Sequence, residues 1–160
     1  MTTIARATLS DAEEILLLQK LSYKSEADLY HDDAIPPMIQ ALKDIQRDFE
    51  RQTFLKAIVN ETIVGSVRAF AQDKTCYIGR LAVHPDFQNQ GIGTQLMNAI
   101  EDTFKICKRY ELFTGYKSEK NITLYQKLGY KIFKTEKLDN SVSLVYLEKY
   151  STTPDLDSKR

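Results

Sequence analysis

The chain is poor in the residues that build metal sites and disulfide frameworks. It has two cysteines and two histidines in 160 residues. Cys76 and Cys107 are too few for a disulfide scaffold or a thiolate cluster, and His31 with His84 is too few for a His-rich metal centre. Both cysteines are expected to stay reduced and to pack as small apolar residues, so a cytoplasmic setting is expected. No apolar leader is evident, and no apolar run approaches the ~20 residues of a membrane-crossing helix. Net charge is zero, from 22 basic and 22 acidic residues. That removes the basic excess by which nucleic-acid binding is usually visible. Repeats, low-complexity tracts and dividing linkers are absent as well. One domain over 1–150 is expected, with a polar tail at 151–160. The common phosphate fingerprints are also missing. No Walker run of Gly-x-x-x-x-Gly-Lys-Ser/Thr exists, and a dinucleotide Gly-x-Gly-x-x-Gly starting at Gly91 fails at Leu96.

What is there reads as a globular chain, 42% apolar, long enough for a sizeable core. Ile4 to Ala7 reads as a strand. Ser10 and Glu13 have capping-box spacing, ahead of a helix on Ile15, Leu18 and Leu21 to about Tyr23. Ser25 to Pro37 is polar and acidic and reads as a loop. A second helix follows on Ile39, Leu42, Ile45 and Phe49. Phe54 to Val59, Ile63 to Ala71 and Thr75 to Val83 read as a three-strand meander, turning at Asn60-Glu61-Thr62 and Gln72-Asp73-Lys74. A long helix from Thr94, a strand at Glu111 to Thr114, a helix at Asn121 to Leu128, and strands at Lys131 to Glu136 and Val142 to Glu148 complete the order. Asp139-Asn140 is the expected turn between the last two. The order βααβββαβαββ is an α+β domain with a mixed, mostly antiparallel sheet and helices on both faces. The last strand is apolar on both sides, with Val142, Leu144 and Tyr146 on one and Val145 and Leu147 on the other. A homodimer through this terminal strand is therefore expected.

Gln88-Asn89-Gln90-Gly91-Ile92-Gly93 is the most informative stretch. It joins the strand ending Leu81-Ala82-Val83 to the helix beginning near Thr94. The first turn of a helix has N–H groups without intrahelical partners, and the helix dipole adds positive charge there. Such a loop is a ready phosphate site. Downstream, Asn121 and Tyr125 stand at i and i+4, on one face of a short helix that Gly129 can end.

Gln-x-x-Gly-x-Gly directly after Leu81-Ala82-Val83-His84-Pro85 resembles the acetyl-CoA signature of the GNAT superfamily of N-acetyltransferases. Asn121 to Tyr130 resembles the family's second characteristic segment, and the element order matches the family's. The resemblance implies acetyl-CoA as co-substrate. Its diphosphate would lie on the N–H groups from Gln90 through Thr94, within the stretch Gln88, Asn89, Gln90, Gly91, Ile92, Gly93 and Thr94. Its pantetheine arm would pair with the backbone of Leu81, Ala82 and Val83, where this strand splays from the strand at Glu111 to Thr114, and Asn121 would join the cofactor site. Tyr125 would protonate the leaving thiolate. Lys117, Lys120 and Lys127 either serve the ribose phosphate or are solvated.

An amine of pKa ~10.4 must also lose a proton. Glu26, Asp28, His31, Asp32 and Asp33 in the first loop are candidates, with Glu111 on the splayed strand. Glu26, Tyr30, His31 and Glu111 are the expected acceptor contacts, and an acidic loop there would favour a cationic amine. Arg68 and Arg80 face either the acceptor or solvent. No metal is expected, and no Cys or Ser is placed to form an acyl-enzyme. The acceptor is a small-molecule or peptide amine, not nucleic acid or membrane. The rival is a non-catalytic acyl-CoA-binding module on the same fold.

Overall fold

The computed structural model describes residues 1–139 and 142–151. The chain runs β1 (Thr3–Arg6), α1 (Ala12–Tyr30), α2 (Pro36–Ile39), α3 (Leu42–Arg51), β2 (Thr53–Val59), β3 (Thr62–Gln72), β4 (Thr75–Val83), α4 (Ile92–Thr103), β5 (Arg109–Gly115), α5 (Glu119–Lys127), β6 (Lys131–Lys137) and β7 (Ser143–Tyr150). The seven strands form one sheet in the order β1-β2-β3-β4-β5-β7-β6. Every pair is antiparallel except β4 with β5. Asn140, half of one expected turn, and residues 152–160, most of the expected tail, lie outside the described residues.

Alternation along the strands produces two apolar layers. On one face α1 and α3 bury Ile15, Leu18 and Ile45 against Phe54 and Ile63, and Phe49 stacks on Phe54 at 3.8 Å. On the other, Leu96, Met97 and Ile100 of α4 and Tyr125 of α5 pack on Leu55, Val67, Ala69, Ile78 and Leu147. Both meander turns have two central residues at positive φ, Asn60 with Glu61 and Asp73 with Lys74. That is the hairpin-compatible type I′ geometry.

Four local expectations are corrected. First, the cap before α1 is Thr8 with Asp11, not Ser10 with Glu13. The Thr8 N–H donates to Asp11 Oδ2 at 2.9 Å, and Leu9–Asp11 forms a 3-10 turn that leads into α1. Second, α1 continues through Tyr30, so most of the expected acidic loop is helix. Buried Ala27 and a Lys24–Asp28 ion pair one turn apart hold the extension. Third, the second helix is two. Gln40 adopts an extended backbone between α2 and α3. Its side chain accepts from Gln19 Nε2 and donates to Asp48, contacts with other elements that local periodicity does not encode. Fourth, β7 lies inside the sheet, between β5 and β6. Both of its edges are paired, so no free terminal strand edge is offered to a second copy. Val145 and Leu147 are buried, while Leu144 and Tyr146 on the other face are half-buried beside the exposed Phe113 and Phe133.

Candidate active site

β4 and β5 pair only at Thr75 with Arg109, Cys76 with Tyr110, and Tyr77 with Glu111. Beyond Tyr77 the two strands part, and the sheet opens. One residue later than this opening, β4 is irregular. Arg68 faces Gly79 and Ser66 faces Ala82, so β4 carries one residue more than β3 across that interval. Arg80 there has φ +52. Such a bulge bends its strand and re-aims side chains.

A cleft of about 1030 Å³ occupies the opening. Leu81 and Val83 form its β4 wall, Asn89, Gly91, Ile92, Gly93 and Thr94 its floor, and Ser118, Asn121 and Leu124 the opposite side. Gly91 is the N-cap of α4 at φ +82, with open space where a Cβ would point. Only glycine takes that conformation without strain. Gly93 lies in the first turn, where a Cβ would stand 3.3 Å from Leu124 Cδ2. The first N–H groups of α4 therefore face a space that bulky groups can approach. Lys117, Lys120 and Lys127 are on the cleft wall too.

The remaining predicted residues are divided. Ala82 is buried, with its register position taken by Ser66. Gln90 is exposed and off the cleft wall. Val83 offers its backbone toward the opening, but both groups have partners: its N–H donates to Ser22 Oγ at 3.2 Å, and its carbonyl accepts from Gln88 Nε2 at 3.1 Å. A ligand strand pairing with Val83 must displace these two side chains. Tyr30 is a clamp, its hydroxyl accepting from the Lys117 N–H at 2.9 Å. His31 is the exposed left-handed cap of α1. Glu111 is held by Arg109 at 2.9 Å, and Arg109 also holds Glu148. Asp28 and Asp33 pair with Lys24, and Asp32 accepts from the Ala34 N–H. Of the proposed bases only Glu26 lines the cleft.

Tyr125 is 6% exposed and packs in the core; it is not among the residues that line the cleft, although Leu124 beside it is. Burial raises its pKa above the ordinary phenol value, and Tyr23 and Glu26 add to the rise. Burial also pushes the Glu26 carboxyl above its usual range. Tyr23 is pushed up to about 12, chiefly by burial, with Arg80 acting against the rise and Glu26 with it. Tyr23 and Glu26 both line the cleft, and both act on Tyr125.

Two contributors were not read from the sequence. Ser22, in mid-α1, reaches the β4 backbone only because α1 packs across the split. Ser118 is 3% exposed, and its Oγ is buried with no hydrogen-bond partner. The Tyr30 side chain is its neighbour and interacts with it. Its signal was available: Ser118 precedes α5 and stands seven residues before Tyr125.

An inward strand edge, an adjacent helix N-terminus and three lysines suit an extended, amide-bearing chain that ends in phosphates. The fold and the cleft define the class: a split mixed-sheet domain with a helix N-terminus at the mouth of the split. The chain belongs to the acetyltransferase (GNAT) family, whose model matches residues 13–130. That family transfers acetyl groups, and its donor is acetyl-CoA. Among curated relatives, YqkA of Bacillus subtilis is 29% identical over 139 residues, 87% of this chain but 40% of YqkA, so this chain spans under half of that protein. An acetyltransferase of Yersinia pestis is 29% identical over 124 residues, 75% of this chain and 81% of that one. Among solved structures, a ribosomal-protein alanine N-acetyltransferase of Escherichia coli superposes with a TM-score of 0.81 at 16% identity, covering 98% of both chains. The PaiA N-acetyltransferase of Thermoplasma acidophilum, solved with coenzyme A, gives 0.71 at 18% identity, covering 94% of this chain and 99% of that one. At those identities the likeness is one of fold. Among the described residues no helix is long and apolar enough to cross a membrane, and no group of side chains could hold a metal.

Proposed function

We propose that the protein acetylates a primary amine by direct attack of the amine nitrogen on the thioester of acetyl-CoA. The observation that carries this reading is the cleft between β4 and α5, which has Glu26 and Leu81 on its lining together with Asn121 and Leu124, the α5 residues that precede Tyr125. The N–H groups of Gly91 to Thr94, with Lys117, Lys120 and Lys127, would hold the phosphates, and Leu81, Val83, Ser118 and Asn121 the amide-bearing arm. When bound, the donor supplies the activated carbonyl and a thiolate leaving group.

The neutral amine forms the new C–N bond, the C–S bond breaks, and the amine's proton passes to Glu26. Tyr125 donates its O–H to the departing sulfur. Tyr125 keeps its proton while hydrogen-bonding the sulfur, and the proton taken up by Glu26 passes to the thiolate, so the products are the amide and the free thiol. Reaching the free base from an ammonium of pKa ~10.4 at pH 7 takes roughly 4.6 kcal/mol. A carboxylate made more basic by burial lowers that barrier. The raised pKa of Tyr125 makes full deprotonation harder, so its main contribution is a hydrogen bond that strengthens as sulfur charge develops.

A panel of amines with acetyl-CoA, followed by free-thiol release, tests the reading. At least one amine should accelerate release well above background hydrolysis. The acid limb of kcat/KM should lie above the usual carboxylate range, with the rate falling as pH drops, and Glu26→Gln should remove that limb. Tight acetyl-CoA binding with no amine-dependent release would instead support the non-catalytic acyl-CoA-binding reading. The buried free thiols of Cys76 and Cys107 are in keeping with a reducing, cytoplasmic setting.

A further inference from the structure

We infer that Arg80 is a specificity residue, and that the acceptor is a primary amine bearing a carboxylate, which the Arg80 guanidinium receives. The inference rests on the acetyl-transfer reading and names its substrate class. Arg80 occupies the bulge of β4 in a left-handed conformation that a long side chain rarely adopts. It is half-buried and makes no hydrogen bond or ion pair among the described residues. The charged and titratable groups that act on it are Tyr23 of α1 and Asp48 of α3, and Arg68 of β3 feels its charge.

Asp48 acts on Arg80 by its field, with no hydrogen bond or ion pair between the two. Its Oδ2 receives Arg68 at 2.6 Å and the amide of Gln40 at 2.8 Å. Arg68 is completed by Gln19 and stacks over the Phe54 ring at 4.8 Å. Two guanidiniums therefore share one carboxylate, and the partner left out is Arg80. A partly desolvated charge without a partner is unfavourable, and an arriving carboxylate relieves it. The planar guanidinium fork matches a carboxylate with two parallel hydrogen bonds.

The position argues against service to the donor's phosphates. Asp48 belongs to α3, which packs on the sheet face opposite α4, and Arg80 is not on the wall of the cleft that holds the α4 N-terminus. Tyr23 and Glu26, three residues apart on α1, both line the cleft, as does Leu81, the residue after Arg80. Arg80 acts on Tyr23, so one small acceptor has its amine at Glu26 and its carboxylate toward Arg80. The same charge excess acts on the amine itself. Neighbouring positive charge lowers an ammonium's pKa, which helps to produce the nucleophile and disfavours polycationic amines. This reverses the preference expected from the acidic segment, whose Asp28, Asp32 and Asp33 are occupied elsewhere.

The test compares free amino acids with their amides, and short peptides with and without an acidic residue, in the thiol-release assay. Wild-type kcat/KM should favour the carboxylate over the matched amide by roughly ten- to hundredfold, as for a charge-assisted hydrogen bond. Arg80→Gln should bring that ratio near one, and Arg80→Lys should recover part of it. Activity confined to acidic peptides would place the carboxylate on a peptide rather than on a free amino acid. Equal wild-type rates with and without the carboxylate, or an undiminished ratio in Arg80→Gln, overturn the inference while leaving acetyl transfer intact. Calorimetry of N-acetylated amino acids against their amides, with coenzyme A present, separates the two claims. Arg80-dependent carboxylate binding without turnover by any amine would sink the transfer reading and keep this one. The amino-acid comparison needs only wild-type protein, so a variant that fails to fold does not shield the inference.

Discussion

Tyr125 has its ring in the core with Tyr130 at 6.1 Å and its hydroxyl in the field of Glu26. The packing role and the proposed chemical role fall on one side chain, and only the O–H separates them. Tyr125→Phe keeps the ring, so the fold should survive. kcat should fall at least about tenfold, with little change in KM for acetyl-CoA. Stopped-flow release of thiol, measured where chemistry limits turnover, would check it; an unchanged kcat would remove Tyr125 from the reaction. The sequence could single out Tyr125 from nine tyrosines because its neighbours along the chain mark it. It could not choose among Glu26, Asp28, His31, Asp32, Asp33 and Glu111. That choice depends on which carboxylates other elements neutralise, and Arg109 reaches Glu111 while Lys24 reaches Asp28. Arg80 was undecided for the same reason: its significance lies in Asp48 being already occupied.

Among the elements, those carried by local pattern were legible. β2, β3 and β4 were placed to within a residue or so at each end because alternation and turn residues coincide. The segments that differ are those decided by contacts far along the chain. Gln40 breaks a helix through partners at Gln19 and Asp48, and the acidic end of α1 stays helical because Ala27 is buried. The first hairpin carries its own prediction. Glu61 sits at φ +66 in a type I′ turn, a position where glycine is unstrained. Glu61→Gly should stabilise the protein by about 0.5–1 kcal/mol, with the relief of strain outweighing the added freedom of the unfolded chain. A lower melting temperature by calorimetry would contradict this account of the turn.

For the whole molecule, buried groups that must stay protonated set the alkaline limit. Cys76, Tyr23 and Tyr110 are each pushed up to about 12, chiefly by burial, and Tyr125 and Tyr130 are raised as well. The unfolded chain loses these protons near the ordinary values of ~8.5 for Cys and ~10 for Tyr. Folded pKa values above unfolded ones mean stability that is full below pH ~8.5 and lost as pH rises toward 12. Each such group contributes up to about 1.4 kcal/mol per pH unit across that window. Urea midpoints taken from pH 7 to 11.5 should hold steady and then drop; a flat series to pH 11 would refute the assignment. The parting of β4 from β5 has a consequence at this scale too. An unpaired strand edge is normally a hazard, because another chain can add to it and spread into aggregates. The outer edges here are guarded. β1 is four residues long, and β6 carries Lys131, Lys134 and Lys137 with an irregularity after Ile132. The inner edge at Leu81 to Val83 is covered only at Val83, by the displaceable side chains of Ser22 and Gln88. It is recessed between α1 and α5, where a whole sheet cannot follow and a single extended chain can. The fold thus keeps a sticky backbone open to one slender guest while denying it to its own kind.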